Sequence, residues 1–451
     1  MAARAVLREV PGRRLGMKRE PVTILPSISA GAIDVAPVRF TDRTLANGLR
    51  VILVPDARVP AVAINVAYRV GGKDDPPHRS GFAHLFEHLM FKGTSRTAPE
   101  TIDRLTEDVG GYNNAFTSED ITNYYEVVPS NHLERLLWAE ADRLGSLTVN
   151  ASNFATERDV VIGEYDQRIL AEPYGMLDEL VNREAYTVHP YRYGVIGSPA
   201  ELNAAALEDV VAFHDTYYRP DNAVLVVVGD LDLDRANVWI DRYFGGIPTP
   251  ATPIPRVSVV EPPQTQERTF SFTAANVPLP AVEEAYHIPE AAHPDAAPLD
   301  VLETLLGAGR SSRLYTSLVY DKQLATSAYA GADLRQQPGL FGVRLTCARG
   351  VALADARAAL EAELERVRTA PPDERELARV RTQIASAFVR GRQTNTGIAL
   401  ALVRAATERG DPDAVNGDLA RYLAVTGEDV LRVAQTYLRA PNRTVVEYLP
   451  A

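Results

Sequence analysis

Short apolar segments rich in valine and isoleucine alternate with helical patterns along most of the chain. Residues 49–54 and 61–70 predict strands, and the hairpin-type dipeptide Asn47-Gly48 precedes the first of them. At 81–90 the apolar spacing becomes helical, and a further strand is predicted at 223–228. The pattern therefore predicts an α+β fold in which strands and helices alternate.

A proline-rich stretch divides the chain near its middle. Six prolines lie between residues 248 and 263, and proline fixes φ and donates no backbone hydrogen bond, so the stretch is expected to be an extended linker. The predicted organisation is an N-terminal arm at 1–39, an α+β domain at 40–247, the linker at 248–266 and a second α+β domain at 267–451.

The two halves share a sequence pattern at a fixed offset. Seven residues over a 15-residue stretch recur 220 positions later, in each case just before a predicted strand. They are Glu208, Asp209, Val210, Thr216, Tyr217, Arg219 and Asn222, and their counterparts begin at Glu428. Similar helix–turn–strand units without common descent are the alternative. We interpret the pattern as a tandem duplication of one domain.

Composition excludes several classes of protein. The 451 residues carry a formal net charge of −12, which argues against a general partner of nucleic acid or anionic membranes, because both select basic surfaces. No apolar run approaches the roughly 18 residues of a membrane span. Cys347 is the only cysteine, so intrachain disulfides and all-cysteine zinc sites are excluded.

The first 19 residues are basic, with six arginines and lysines against one acid. No apolar core of about 7–15 residues follows them, so a secretory signal peptide is not visible. We interpret the segment as a solvated arm, with a transit-like segment as the alternative. For the same reason a bacterial cytoplasmic location is favoured, and a periplasmic one stays open.

Residues 84–88 read HLFEH. On a helix, His84 and His88 lie one turn apart on the same face, with Glu87 beside them. Two imidazoles that hold a metal and a carboxylate that removes a proton from bound water are the requirements of a hydrolytic zinc site. A surface helix that happens to carry two histidines is the alternative. The preceding Ser80-Gly81 suits a helix start and favours the metal site.

A catalytic zinc usually has three protein ligands, and residues 157–164 offer two acidic candidates for the third. Glu157 and Glu164 are two helical turns apart and share a face. One could bind the metal while the other orients a histidine ring. Two solvated acids on a charged helix are the alternative.

Together these segments resemble the pitrilysin-type inverted zincins, which include insulin-degrading enzyme and the mitochondrial processing peptidase. The resemblance covers about residues 40–450 and is strongest over 80–230. It implies that one Zn²⁺ per chain is held by His84, His88 and Glu164, which lies 76 residues beyond His88. It also implies that Glu87 is the general base and that Glu157 supports the site. The implied fold is two tandem, similar α/β-sandwich domains that form one half of a clamshell chamber.

A second segment, residues 110–118, resembles the region where this family binds its substrate as an added β-strand. The resemblance implies that Asn114, Ala115 and Phe116 line the cleft. An ordinary Gly-Asn turn is the alternative.

The second half lacks parts of both family sites. At an offset of 216 residues, Asp300 and Thr304 stand opposite the two histidines, so this half is expected to bind no zinc. Where the family places an arginine and a tyrosine that help bind the substrate and the developing oxyanion, this chain has Val319 and Thr326. Arg313 and Tyr320 have the right mutual spacing but lie in the wrong register.

The sequence therefore predicts a zinc-dependent endopeptidase that cleaves unfolded peptides inside a closed chamber. It further predicts a heterodimer in which a homologous partner subunit supplies the Arg/Tyr pair. The alternatives are a homodimeric peptidase of the same family, a non-catalytic structural subunit, and a peptide-binding chamber protein with a structural metal.

Overall fold

The computed structural model describes residues 35–451, so the predicted arm at 1–39 lies mostly outside the described residues. The N-terminal unit contains strands β1 (Thr41–Thr44), β2 (Arg50–Pro55), β3 (Ala61–Tyr68), β4 (Tyr112–Thr117), β5 (Thr122–Pro129) and β6 (Ala223–Gly229). Its helices are α1 (Phe82–Leu89), α2 (Thr101–Glu107), α3 (Leu133–Ser146), α4 (Ala151–Tyr165), α5 (Gly175–Ala185), α6 (Pro199–Asn203), α7 (Leu207–Tyr217) and α8 (Leu233–Phe244).

The C-terminal unit contains strands β7 (Arg268–Ala274), β8 (Ala281–Ile288), β9 (Ala325–Asp333), β10 (Gly339–Cys347) and β11 (Arg443–Pro450). Its helices are α9 (Ala296–Gly307), α10 (Leu353–Thr369), α11 (Glu374–Gly391), α12 (Asn395–Glu408), α13 (Ala414–Leu423) and α14 (Gly427–Tyr437). Between α8 and β7, where the proline-rich linker is predicted, the chain forms no helix or strand.

Each unit is built on one mixed sheet. The five strands of the second sheet have the same topology as strands β2 to β6 of the first, which has β1 as an additional edge strand. The strand order is β1-β2-β6-β3-β5-β4 in the first sheet and β7-β11-β8-β10-β9 in the second. One pair in each is parallel, β2 with β6 and β7 with β11, and the other neighbours are antiparallel. The predicted fold, two similar α/β sandwiches in tandem, is confirmed.

The repeated sequence pattern forms the same helix–turn–strand unit twice. Helix α7 begins at Leu207 and α14 at Gly427, and strands β6 and β11 follow them at the same offset. At the turn, the side-chain amide of Asn222 donates to the Tyr217 carbonyl at 2.8 Å, and that of Asn442 donates to the Tyr437 carbonyl at 2.9 Å. The shared asparagine therefore closes an identical turn in both units.

The two units exchange helices across their interface. Helix α12 belongs to the C-terminal half of the sequence but packs its apolar residues, including Ile398 and Leu402, on the face of the first sheet that carries Val224 and Val226. Helix α5 reciprocally packs Leu177 and its neighbours on the second sheet. The opposite face of the first sheet is covered by α1, α3, α7 and α8. Both sheets are therefore layered on both faces.

Residues 35–39 are the described end of the predicted arm, whereas the basic segment 1–19, interpreted as a solvated arm, lies outside the described residues. The backbone of Val38 exchanges two hydrogen bonds with the side chain of Asn416 on α13, at 2.8 and 3.1 Å. In the part of the chain that the structure describes, no helix is both long and apolar enough to cross a bilayer.

Candidate active site

Helix α1, predicted at 81–90, presents His84, Glu87 and His88 on one side and its apolar residues on the other. Its start is fixed by Asp75, whose carboxylate accepts hydrogen bonds from the backbone N–H groups of Gly81 at 2.6 Å and Ala83 at 2.9 Å. Gly81 has a φ of +93°, and a Cβ there would lie 2.5 Å from the carbonyl oxygen of Ile196. Leu85, with the other apolar residues of α1, is buried in the first core. The helix is thus held in one orientation, in which the two histidines face α4.

The structure brings His84, His88 and Glu164 together at the junction of α1 and α4. The Oε2 atom of Glu164 lies 3.3 Å from His88 Nε2 and 3.7 Å from His84 Nε2. One ligand atom from each residue lies within 4.8 Å of the others. The two imidazole rings are nearly perpendicular, at 83°, with centroids 5.0 Å apart.

This donor set fits a zinc ion. Two ligand atoms bound tetrahedrally about 2.0–2.2 Å from zinc are about 3.3–3.6 Å apart, which is close to the separations of Glu164 Oε2 from the histidine nitrogens. Burial lowers the pKa of His84 to about 3, and the neighbouring His88 and Arg168 act in the same direction. His84 is therefore neutral at pH 7, which is the form that binds a metal.

Glu157 lies on the Nδ1 side of His88 and also contacts Lys92. Its Oε2 atom is 3.6 Å from His88 Nδ1, and its Oε1 atom is 3.2 Å from Lys92 Nζ. Burial opposes ionisation, but His88 and Lys92 outweigh it and lower the pKa of Glu157. Burial likewise acts against a charged His88, whereas contact with Glu157 and the charges of Glu164 and Glu87 raise its pKa. The contact orients the His88 ring so that Nε2 faces Glu164.

Glu87 stands beside the three metal-facing side chains and is tied to strand β4. The hydroxyl of Thr117 donates a hydrogen bond of 2.6 Å to Glu87 Oε2. Burial raises the pKa of Glu87, and the Thr117 hydrogen bond works in the opposite direction. A carboxylate with a raised pKa that is fixed by one donor is suited to accept and return a proton.

Strand β4 lies at the edge of its sheet and pairs only with β5 among the described strands. The backbone N–H of Ala115 donates a hydrogen bond of 2.8 Å to the side-chain oxygen of Asn114. Because backbone groups in an antiparallel pair alternate in direction, Ala115 and Thr117 present theirs to the free edge. Phe116 instead packs its side chain against the cluster around α12. The predicted residues Asn114, Ala115 and Phe116 therefore do not all face one side of the sheet.

The corresponding region of the second unit holds no imidazole. The hydroxyl of Tyr422 donates to Asp300 at 2.7 Å, and Thr304 donates to the Asp300 carbonyl at 2.9 Å. Arg313 forms two hydrogen bonds with Glu376, at 2.8 and 2.7 Å, whereas the side chain of Tyr320 is exposed.

Three residues near the site were not among the sequence candidates. Thr117 lies within the recognised edge segment, but its contact with Glu87 depends on how β4 meets α1. Lys92 and Arg168 are each four residues beyond a candidate, His88 and Glu164 respectively. Helical spacing places them near those residues, yet many exposed arginines and lysines share such spacing, so the signal is weak.

Comparison with known proteins decides the family. Residues 50–198 match the profile described as Insulinase (Peptidase family M16), and residues 205–384 match the profile described as Peptidase M16 inactive domain. The zinc protease PqqE of Helicobacter pylori is 31% identical over 412 residues, which cover 90% of this chain and 92% of that protein. The chain belongs to peptidase family M16. This confirms the resemblance to the pitrilysin-type zinc peptidases.

Solved structures of M16 proteins share the fold. A protease from Helicobacter pylori superposes with a TM-score of 0.88 at 29% identity, over 91% of this chain and all of that one. The periplasmic protease PqqL from Escherichia coli gives a TM-score of 0.75 at 18% identity, and the match covers 91% of this chain but 48% of PqqL. This M16 chain therefore has the fold of a two-domain half-chamber protein, as the resemblance implied.

Proposed function

We propose that this M16 chain is a catalytically active zinc endopeptidase that cleaves unfolded peptides. The observation that carries the proposal is the convergence of His84, His88 and Glu164 beside Glu87. All four side chains have the chemistry that zinc-assisted peptide hydrolysis requires, and they lie next to a sheet edge that can pair with a peptide.

In the proposed mechanism, His84 and His88 would hold zinc through Nε2 and Glu164 through Oε2. When bound, zinc lowers the pKa of a water molecule toward neutrality and polarises the scissile carbonyl. Glu87 accepts the proton that a water molecule loses as its oxygen bonds the scissile carbonyl carbon, and returns it to the amine nitrogen as the C–N bond breaks. Thr117 fixes Glu87 through the 2.6 Å hydrogen bond. Because Thr117 also belongs to the edge of β4, a peptide added to that edge lies directly beside the base.

The proposed assembly is a heterodimer with a homologous subunit. Two features support it: Val319 and Thr326 supply neither a positive charge nor a phenol, and the chain matches about half the length of PqqL. A partner carrying an arginine and a tyrosine would stabilise the oxyanion across the chamber. The isolated chain is then expected to bind zinc but to hydrolyse peptides slowly. Full activity of a purified homodimer would contradict this part of the proposal.

The substitution Glu87→Gln tests the enzymatic proposal. It removes the proton acceptor and keeps the shape of the side chain, so peptide turnover is expected to fall by about 10²–10⁴-fold. Zinc content, measured by atomic absorption on the same sample, should stay at one ion per chain, because Glu87 is not a ligand. Glu107→Gln, on the exposed end of α2, is the matched control and should change neither quantity. Unchanged turnover in the Glu87 variant would show that the assigned base is wrong.

A further inference from the structure

The two carboxylate oxygens of Glu164 have different neighbours. Oε2 faces His84 and His88, whereas Oε1 lies 2.8 Å from Nη1 of Arg168. Arg168 is on a π-helical segment, Asp166–Ala171, that directly follows α4. Such wide turns inside a helical run occur frequently at functional sites. The guanidinium therefore occupies the one carboxylate oxygen that the histidines do not face.

Contacts from two other elements hold the backbone of this π-helical segment. A Cβ at Gly175, the first residue of α5, would lie 2.5 Å from the carbonyl oxygens of both Arg168 and Ile169, so only glycine allows this close approach. From the C-terminal unit, the side-chain amide of Asn276 donates to the Leu170 carbonyl at 3.0 Å. The backbone at Arg168 and its two following residues is thus held by contacts from both units.

We propose that Arg168 is a positioning residue that presents Glu164 to the metal through Oε2 alone. This inference rests on the proposed zinc site and adds a residue to it. A carboxylate that rotates freely about its last bond offers either oxygen to a metal. The ion pair between Arg168 and Oε1, at 2.8 Å, favours the orientation in which Oε2 faces the histidines. Partners of this kind around metal ligands typically change metal affinity by about 10–100-fold.

The charge of Arg168 has a second effect on zinc affinity, opposite to that of orienting Glu164. The positive charge of Arg168 repels a divalent cation, and by itself this would weaken zinc binding. The side chain is 70% exposed, so water and salt screen the repulsion between its charge and the metal, while its ion pair with Oε1 is a direct contact at 2.8 Å. The orientation of Glu164 is therefore expected to dominate, and removal of Arg168 should weaken zinc binding.

The test is zinc affinity, measured on the full chain by competition with a chromophoric chelator at fixed ionic strength. Arg168→Ala is expected to bind zinc about 10-fold more weakly than the unsubstituted chain. Arg168→Lys, which keeps a charged donor, should recover most of the loss. Arg366→Ala is the matched control, because Arg366 is 63% exposed and pairs with Glu363 at 2.7 Å on the same helix. That control should leave zinc affinity unchanged.

A second readout reports the geometry of the ligand itself. In the cobalt-substituted protein, Arg168→Ala should alter the visible absorption of the metal, because the carboxylate no longer binds through one fixed oxygen. Zinc affinity equal to or tighter than that of the unsubstituted chain, or an unchanged cobalt spectrum, would overturn the role of Arg168 and leave the zinc site intact. Failure of the unsubstituted chain to bind zinc would overturn the proposed function as well.

Discussion

At the scale of single residues, the metal-facing side of α1 could be predicted because helical spacing alone places His84, Glu87 and His88 side by side. The third ligand depended on the family resemblance, since spacing within 157–164 left Glu157 and Glu164 equivalent. The structure distinguishes them: Glu164 reaches both Nε2 atoms, and Glu157 contacts Nδ1 of His88. The contact between Thr117 and Glu87 could not be predicted, because it joins residues 30 apart through tertiary packing.

The residue opposite His84 in the second unit, Asp300, gives a prediction about stability. Burial raises its pKa from 3.8 to about 7, so the folded protein binds a proton there more tightly than the unfolded chain does. The stabilisation from this group is complete below about pH 4 and is lost as the pH rises to about 7. Asp300→Asn, which can still accept the Tyr422 hydrogen bond, should remove this loss.

Urea unfolding at pH 5 and pH 8 measures the effect. Between these two values, the decrease in the free energy of unfolding should be smaller in Asp300→Asn than in the unsubstituted chain, by on the order of 2 kcal/mol. Both proteins should be freed of metal first, so that zinc binding does not contribute. The same pH dependence in both proteins would show that Asp300 ionises in the folded state as it does in water.

At the scale of elements, the strands and the metal-bearing helix follow from local patterns, with ends that differ by one or two residues. The packing of α5 and α12 on the sheet of the other unit does not follow from local sequence patterns. Their apolar faces indicate burial, but an apolar stripe carries no information on which sheet will cover it. The open edge of β4 was expected from the resemblance. One contact on the edge strand β9 was not expected: Glu303, at the position corresponding to Glu87, accepts a hydrogen bond of 2.9 Å from the Ala332 N–H.

The helix exchange predicts that the two units unfold together. Leu402 on α12 is fully buried against the first sheet. Leu402→Ala should therefore destabilise the N-terminal unit, although residue 402 lies in the C-terminal half, and the expected cost is about 2–5 kcal/mol.

Both tryptophans of the chain, Trp138 and Trp239, lie in the N-terminal unit. In denaturant titrations of Leu402→Ala, the tryptophan fluorescence transition should shift to a lower midpoint, together with the far-ultraviolet circular dichroism transition. A fluorescence transition that stays in place while circular dichroism changes would show that α12 does not stabilise the first sheet.

At the scale of the whole molecule, the two units share a fold but differ in the residues at the position of the candidate site. The N-terminal unit keeps the four side chains of the candidate site and an open strand edge. The C-terminal unit has Asp300 and Thr304 in place of the histidines, and Glu303, in place of Glu87, bonds the edge strand β9. The proline-rich stretch and the 220-residue offset indicated two domains. That these two form half of a chamber came from the resemblance and is confirmed by the solved M16 structures.

The central claim is that zinc bound by His84, His88 and Glu164 makes this chain a peptidase. The most direct measurement is a zinc titration of the metal-free protein, with bound zinc and hydrolysis of an unfolded fluorogenic peptide recorded on the same sample. Turnover, slow in the isolated chain, should rise in proportion to bound zinc and level off at one ion per chain. His88→Ala should bind zinc far more weakly and show no such rise. Hydrolysis that is independent of bound zinc, or saturation with zinc without any hydrolysis, would contradict the account.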